Sequence, residues 1–275
     1  MYKIYYPPIP NMGDLLNKYM LEDMFNITVD TGPVYECNLS AIGSGLGAIQ
    51  KGLKMKTRLK QAFYKSRTIQ RHYIWGTGFL NDNHNTNQFI YPEVIIASLR
   101  GELTRKRIEG ILNQTIDVPL GDGGLLADRW VGPVQKKHQI GIIPHFKEQM
   151  HPLISDLKTN YHDAIIVDLK QDPKEVVRTI ASCEYIISSS LHGLIIADSY
   201  GIPNLHILLY PYGEKMSGDG FKFSDYYSAF SLEDFPYDIN SNPFPSIAYI
   251  SENYKISRAA VETIKDKIYD AFPQL

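Results

Sequence analysis

Cysteine is nearly missing from this chain of 275 residues. Cys37 and Cys183 stand far apart and outside any C-x-x-C spacing, which argues against a disulfide framework or a thiolate zinc site and fits a reducing compartment. Long apolar runs are missing too: no stretch of roughly 18 apolar residues occurs. Met1-Tyr2-Lys3-Ile4-Tyr5-Tyr6 opens as a strand, not as a secretory leader. The expectation is a soluble, cytoplasmic chain without a signal peptide. Charge of one sign is not in excess, since 28 Lys and Arg face 30 Asp and Glu for a formal net charge of -2. That balance excludes a nucleic-acid partner bound through counterion release, so any anion site must be local. The eight histidines, at 72, 84, 138, 145, 151, 162, 192 and 206, are scattered. With no H-E-x-x-H, no Asp-x-Asp and no G-x-S-x-G, neither a metal, nor a metal-dependent sugar-nucleotide mechanism, nor a serine elbow has support, and no cofactor is expected.

What is present is a sizeable apolar fraction, 44%, on a length that favours two domains. Tyrosine dominates the aromatics, 19 against 2 Trp, which suits sugar stacking and tyrosine-rich cores equally. Lys3 to Tyr6 reads as a first strand. Pro7-Pro8-Ile9-Pro10 interrupts regular structure, and Asn11 or Asp14 can cap the helix that follows, in which Leu15, Leu16, Tyr19, Met20 and Phe25 recur at helical spacing. Ala41-Ile42-Gly43-Ser44-Gly45-Leu46-Gly47 lacks the last glycine of a dinucleotide fingerprint and reads as a backbone turn. The basic run from Lys51 to Arg71 suits an anionic partner or membrane surface on one reading and a solvated helix face on the other. Further strands run into glycine loops at Tyr73–Phe79 and at Val94–Thr104. Arg100 falls at a strand's carboxyl end, the place for a bidentate grip on a carboxylate or phosphate, or for a plain ion pair.

The composition turns polar around Gly132–Lys137, which puts a domain boundary at 134/135, with an N-terminal domain over 1–134 and a C-terminal domain over 135–275. The second half alternates: strand 140–143, helix 147–159, strand 164–168, helix 173–182, strand 185–189, helix 193–200, strand 204–208. That alternation predicts a parallel α/β sheet. A last helix over about 255–272, with Ile256, Ala260, Ile264, Ile268 and Phe272 on one face, is placed to pack back on the first domain.

The stretch from Ile186 to Pro203 reads as a buried strand, a turn presenting Ser188, Ser189, Ser190 and His192, and a helix that stops at Gly201-Ile202-Pro203. The first amides of a helix lack intrahelical partners and, with the macrodipole, favour an anion. His192, in that first turn, is placed to donate to such an anion or to pass a proton near neutral pH. Equally, the serines cap a core helix and His192 is a satisfied structural histidine.

Several motifs recur in a fixed order: Asn11-Met12-Gly13-Asp14, Gly76-Thr77-Gly78, Leu99-Arg100-Gly101 with Thr104, Gly121-Asp122-Gly123-Gly124-Leu125-Leu126, Ser189-Ser190-Leu191-His192-Gly193 with Ala197-Asp198 and Gly201-Ile202-Pro203, and Phe221-Lys222-Phe223-Ser224-Asp225-Tyr226-Tyr227. Spanning positions 11 to 227, the set resembles the polysaccharide pyruvyl transferase family. The resemblance implies two Rossmann-like domains arranged as in GT-B glycosyltransferases, with the active site in the interdomain cleft, acceptor on the N-terminal side and donor on the C-terminal side. It also implies phosphoenolpyruvate as donor, and a saccharide acceptor of a surface polysaccharide or its precursor, lipid-linked if the work is done at the inner face of the membrane. Arg100, Leu191, His192 and His145 match positions the family uses around the donor, and Lys222 matches a basic position. Two departures stand out. Ser190 occupies a place where many members carry arginine, which leaves the anion to Lys222 or Arg100, and Gly121-Asp122-Gly123-Gly124 replaces Gly-Asp-Pro-Gly.

Ketal formation needs an acid, an anion clamp and a dry site. His192 is the expected general acid or base, with Asp14 in the catalytic set. Arg100 is assigned to the carboxylate, and the Ser188–Ser190 loop with Lys222 to the phosphate. Asp14 and Asp122 are candidates for acceptor hydroxyls. Asn11, Gly13, Thr77, Gly78, His145 and Leu191 complete the expected binding set. Two other readings share the architecture: a GT-B glycosyltransferase using a nucleotide sugar, and a catalytically silent carbohydrate-binding protein.

Overall fold

A computed structural model describes residues 1–6, 11–51, 69–82, 87–210 and 220–274. Among these residues ten short strands form two sheets of five, and every pairing between them is parallel. The first sheet holds β1 (Tyr2–Ile4), β2 (Val29–Thr31), β3 (Leu39–Ser40), β4 (Arg71–Ile74) and β5 (Glu93–Ile96), in the order β2-β1-β3-β4-β5. The second holds β6 (His138–Ile143), β7 (Ala164–Ile166), β8 (Cys183–Ser188), β9 (Asn204–Leu208) and β10 (Tyr237–Asp238), in the order β10-β9-β8-β6-β7. The chain is therefore α/β with two parallel sheets, as its alternating pattern predicts.

Parallel strands covered on both faces must be apolar nearly throughout. β6 and β8 meet that need with Ile140, Ile142, Ile143, Ile186 and Ile187, all fully buried. Each sheet reverses its winding once, between β1 and β3 and between β6 and β8. In open α/β sheets the carboxyl ends of the strands at such a reversal open a crevice where ligands bind. Asn11, Gly13 and Gly43 follow the first pair, while His145 and Ser188 to His192 follow the second.

Several element bounds differ from the sequence reading. The helix expected over 147–159 starts only at Pro152, because the His151 side chain accepts from the Leu153 amide and Pro152 fits the first helical turn. The helix expected from 193 is Leu191–Ser199, so His192 lies within its first turn. The first strand ends at Ile4, β6 and β8 each start two residues early, and β7 stops at Ile166. The last helix, expected over about 255–272, is Arg258–Asp270 and opens after extended Ser257, so Ile256 and Phe272 flank it, and a helix the sequence reading did not expect, Ile247–Asn253, precedes it with Ser246 as its cap. Asn11 precedes the helix Met12–Phe25 without a side-chain cap bond. In that helix Leu16 and Met20 are buried, whereas Tyr19 faces out.

Arg258–Asp270 contacts residues of both sheets' surroundings. Trp75 Nε1 donates to Ile268 O (2.7 Å), Phe25 and Phe272 stack at 3.7 Å, and the Tyr2 hydroxyl donates to Pro273 O (2.6 Å). Buried Lys265 donates to Asp128 Oδ2 (2.7 Å) and to Ser199 O (2.6 Å). Of the basic run, Lys51 and Arg71 are described; Arg71 pairs with Glu93, and the rest lies outside the described residues, as do Pro7–Pro10. Among the described residues no helix is long and apolar enough to cross a membrane.

Candidate active site

The helix Leu191–Ser199 begins where β8 ends. Ser190 is extended, and its carbonyl accepts from Gly193 N (3.1 Å) and Leu194 N (3.3 Å). The Leu191 and His192 amides have no partner among the described residues, which leaves two aligned donors at the positive end of the helix. The three serines have divided tasks. Ser188 Oγ accepts from Ser190 N and lies 2.9 Å from Ile143 O and Ser190 O, so it braces the turn. Ser189 Oγ accepts from His145 N (2.9 Å) and donates to Glu148 Oε2 (2.5 Å), tying the β6 loop to the β8 loop. Ser190 makes no side-chain cap.

His192 sits where elements from both sheets meet. A Cβ on Gly13 would lie 2.3 Å from its Nδ1, one on Gly124 3.6 Å from its Cδ2, and one on Gly43 3.9 Å from its Cε1. Its Nε2 is buried without a partner, 3.9 Å from Asp122 Oδ1, and Asp122 Oδ2 is likewise unpartnered. The side chain of His192 keeps 15% exposure, whereas Asp122 has none. Burial, then the positive charges of Lys222 and Arg100, push His192 down to about 3. Burial pushes Asp122 up to about 7, against the Gly124 amide and Arg100. Asp122 is held by that amide, Gly124 N donating to its Oδ1 at 2.9 Å. A neutral imidazole thus faces a carboxyl group that titrates near neutrality.

Lys222 lies nine-tenths buried in the first turn of the helix Phe221–Ser228, over the ring of Phe223, and no hydrogen bond or ion pair reaches its ammonium among the described residues. Burial, with Arg100 next, brings it down to about 8; Glu148 and Asp14 pull the other way. Its charge also acts on His145, which burial first and then Lys222 push down to about 4. Asp14 is raised by burial and eased by Asn11, whose amide donates to it at 3.3 Å, and by Lys222. Lys222 is a buried cation without a counter-ion among the described residues, and the charge of Lys147 acts on both it and His145.

Arg100 is different. It is fully buried, with Nε on Asp225 Oδ2 (2.8 Å), Nη1 on Ser44 Oγ (2.7 Å) and Gly43 O (3.4 Å), and Nη2 on Phe79 O (2.6 Å). A Cβ on Gly78 would meet the guanidinium at 2.6 Å, so Gly78 makes room for it. Thr77 is buried and donates to Gly43 O (2.8 Å). Asp225 also accepts from Thr104 N and Thr104 Oγ1, both 2.7 Å, so it caps the helix Glu102–Leu112 from another element. A Cβ on Gly101 would collide with Asp225 O at 1.7 Å. These contacts bring the Gly76–Gly78 and Leu99–Thr104 motifs onto the Phe221–Tyr227 motif and fix the helix that carries Lys222.

The structure therefore gathers His192, Asp122, Gly13, Asp14, Asn11, Lys222, His145, Ser188, Ser189, Ser190 and Leu191 around one point. Arg100, Thr77 and Gly78 form the scaffold beside it. Asp225 belongs to the quoted motif, but its partners lie more than 120 residues away in sequence. Glu148, His206 and Asp234 carried no sequence signal. Among the described residues no group of three or more His, Cys, Asp and Glu is arranged to hold a metal ion.

An uncharacterized protein of Acanthamoeba polyphaga mimivirus is 26% identical to this chain over 239 residues, covering 85% of this chain and 75% of that protein. Residues 123–209, the span that carries β6 to β9, the serine turn and His192, match the family model of the polysaccharide pyruvyl transferases.

Proposed function

We propose that the protein moves the pyruvyl unit of phosphoenolpyruvate onto two hydroxyls of a sugar, in a polysaccharide or its precursor, as a ketal, with release of phosphate. The observation that carries this reading is the approach of His192 Nε2 to Asp122 at 3.9 Å, with that nitrogen and Asp122 Oδ2 both buried without a partner, beside two helix amides and a buried lysine that have none among the described residues. The family match over 123–209 supports it.

The chemistry follows from those groups. The donor carries a carboxylate and a phosphate, and the Leu191 and His192 amides with Lys222 supply the positive field for them. Arg100 contributes at a distance, because its own donors are satisfied within the protein. Protonating the methylene of the donor makes its central carbon electrophilic. With His192 neutral, that proton comes from the His192–Asp122 pair, and a bound dianion offsets the field of Lys222 and Arg100 that otherwise keeps the imidazole unprotonated. A first sugar hydroxyl then adds to the cationic carbon. Phosphate leaves with the bonding electron pair, and a second hydroxyl closes the ring. Asp14 and Asn11 face this point from the first sheet and are placed for acceptor hydroxyls.

The test is phosphate release from phosphoenolpyruvate in the presence of a panel of methyl hexopyranosides, followed by mass spectrometry for a gain of one pyruvic acid less one water. His192→Asn is expected to lower turnover by about 10²–10⁴-fold. Release of a nucleotide diphosphate from a sugar nucleotide, with no response to phosphoenolpyruvate, would move the chain to the glycosyltransferases instead.

A further inference from the structure

Ketal formation from an enol phosphate moves two protons by different routes. The methylene gains one proton, and the two hydroxyls lose two. The first hydroxyl's proton restores the carrier that protonated the methylene. The second hydroxyl's proton must end on the departing phosphate. His192 and Asp122 serve the first route, so the second needs a carrier beside the phosphate.

One pocket at the carboxyl ends of β6, β8 and β9 holds such a group. Lys222, His145, Ser189, Glu148, His206 and Phe223 line it. His206 stands on β9 in register with Ser188 of β8. Its Nδ1 lies 2.9 Å and 3.0 Å from the two carboxylate oxygens of Asp234, and both side chains are almost completely buried. Its ring stacks on Phe223 at 3.8 Å and 14°, and Phe223 follows Lys222 directly. A carboxylate at Nδ1 fixes the proton there in the neutral ring and leaves Nε2 as the exchanging nitrogen. That nitrogen has no partner among the described residues. A buried histidine oriented by a buried carboxylate, opening on the same pocket as an unpaired lysine, is the arrangement of a proton carrier rather than of a core histidine. His72 gives the contrast. Both its ring nitrogens are satisfied, by Cys37 O and Ser40 Oγ.

We propose that His206, oriented by Asp234, is a second proton-transfer residue of the reaction: protonated at Nε2, it gives that proton to the phosphate oxygen as the carbon–oxygen bond to phosphate breaks, and it then takes the proton of the second sugar hydroxyl as the new carbon–oxygen bond forms. One proton and one electron pair reach the phosphate, and the histidine returns to its starting state. The assignment rests on the pyruvyl-transfer reading.

The experiment follows phosphoenolpyruvate in D2O with methyl hexopyranosides, reading phosphate release and deuterium in the methylene of recovered donor. Slowing phosphate departure lets the first adduct revert, and reversion washes deuterium into the donor. His206→Gln is expected to lower phosphate release about 10²-fold while raising deuterium wash-in per phosphate released. Asp234→Asn keeps the ring and its stacking, and is expected to shift both readouts the same way by less. His192→Asn should lower release and wash-in together. Unchanged release in both variants, or a parallel fall of release and wash-in in them, overturns the assignment while leaving the pyruvyl reading intact. A wild-type chain that releases no phosphate and takes up no deuterium with any acceptor overturns the pyruvyl reading, and the assignment with it.

Discussion

Asp122 and His192 strain against their surroundings in opposite senses. Burial raises the carboxyl to about 7 and lowers the imidazole to about 3. A carboxyl raised on folding binds its proton more tightly in the native state, so its contribution to stability is full at low pH and is lost as pH rises from about 4 through about 7. A histidine lowered on folding acts the other way, its penalty growing as pH falls through the unfolded value. His72 and His145, each down to about 4, add to that opposing slope, and Asp198, up to about 7, adds to the first. The wild-type profile alone therefore mixes these terms, while the difference from Asp122→Asn isolates one. The asparagine is uncharged throughout, so wild type should lose stability relative to it between about pH 4.5 and pH 7.5, by a few kcal/mol at most. Urea denaturation of both proteins at the two pH values measures it. A difference that stays constant would show that Asp122 titrates normally. At this scale His192 was legible in the sequence, because a histidine just after a serine-rich strand end falls in a helix's first turn whatever the fold around it. Its partner was less so: Asp122 lies 70 positions away, and no spacing rule links them.

The element that decides the position of Lys222 is the helix Phe221–Ser228, and Asp225 anchors it. Its carboxylate accepts from Arg100 and twice from Thr104, and Ser228 Oγ accepts from Glu102 N at 2.8 Å. Replacing Asp225 with alanine would leave a fully buried guanidinium without its counter-ion and open the N-terminus of Glu102–Leu112. Loss of one partner of a buried ion pair costs about 3–5 kcal/mol. Asp225→Ala is expected to fall in that range by chemical denaturation, and Asp225→Asn by less, since the amide oxygen still accepts. A loss under 1 kcal/mol for the alanine variant would mean that the guanidinium finds other acceptors. This junction explains why the sequence located some elements and not others. β6 and β8 announce themselves as isoleucine-rich runs, because a strand buried on both faces has no polar positions to spare. β3, only Leu39 and Ser40, is too short to carry a pattern. Arg100 read as a strand-end residue facing a ligand, and its strand-end place is right. Its guanidinium turns inward because Gly78 leaves the space and Asp225 supplies the charge, and neither fact is local to Arg100.

Across the whole molecule, the two sheets share one winding order, and residues following both reversals meet at His192. Gly13 and Gly43 approach it from the first sheet, while β8 delivers it from the second. The molecule is nearly neutral, so the positive field at this point is a local construction. Arg100 is matched by Asp225, burial keeps His192 and His145 neutral, and Lys222 is left as a buried unpaired charge that a donor dianion would meet. Burial brings Lys222 down to about 8 in the free protein. A bound dianion favours the charged form and lifts that value, so proton uptake accompanies binding above pH 8. The affinity for phosphoenolpyruvate should thus be flat from about pH 6.5 to 7.5 and weaken beyond pH 8, approaching tenfold for each further pH unit until the lysine value of the complex is reached. Isothermal titration across that range, in buffers of different ionisation enthalpy, reads both the affinity and the proton taken up. Lys222→Met should bind more weakly at neutral pH and lose the alkaline slope. An equal slope in wild type and Lys222→Met would assign the titration to another group and remove Lys222 from the anion site, leaving the helix amides of Leu191 and His192 as its described donors.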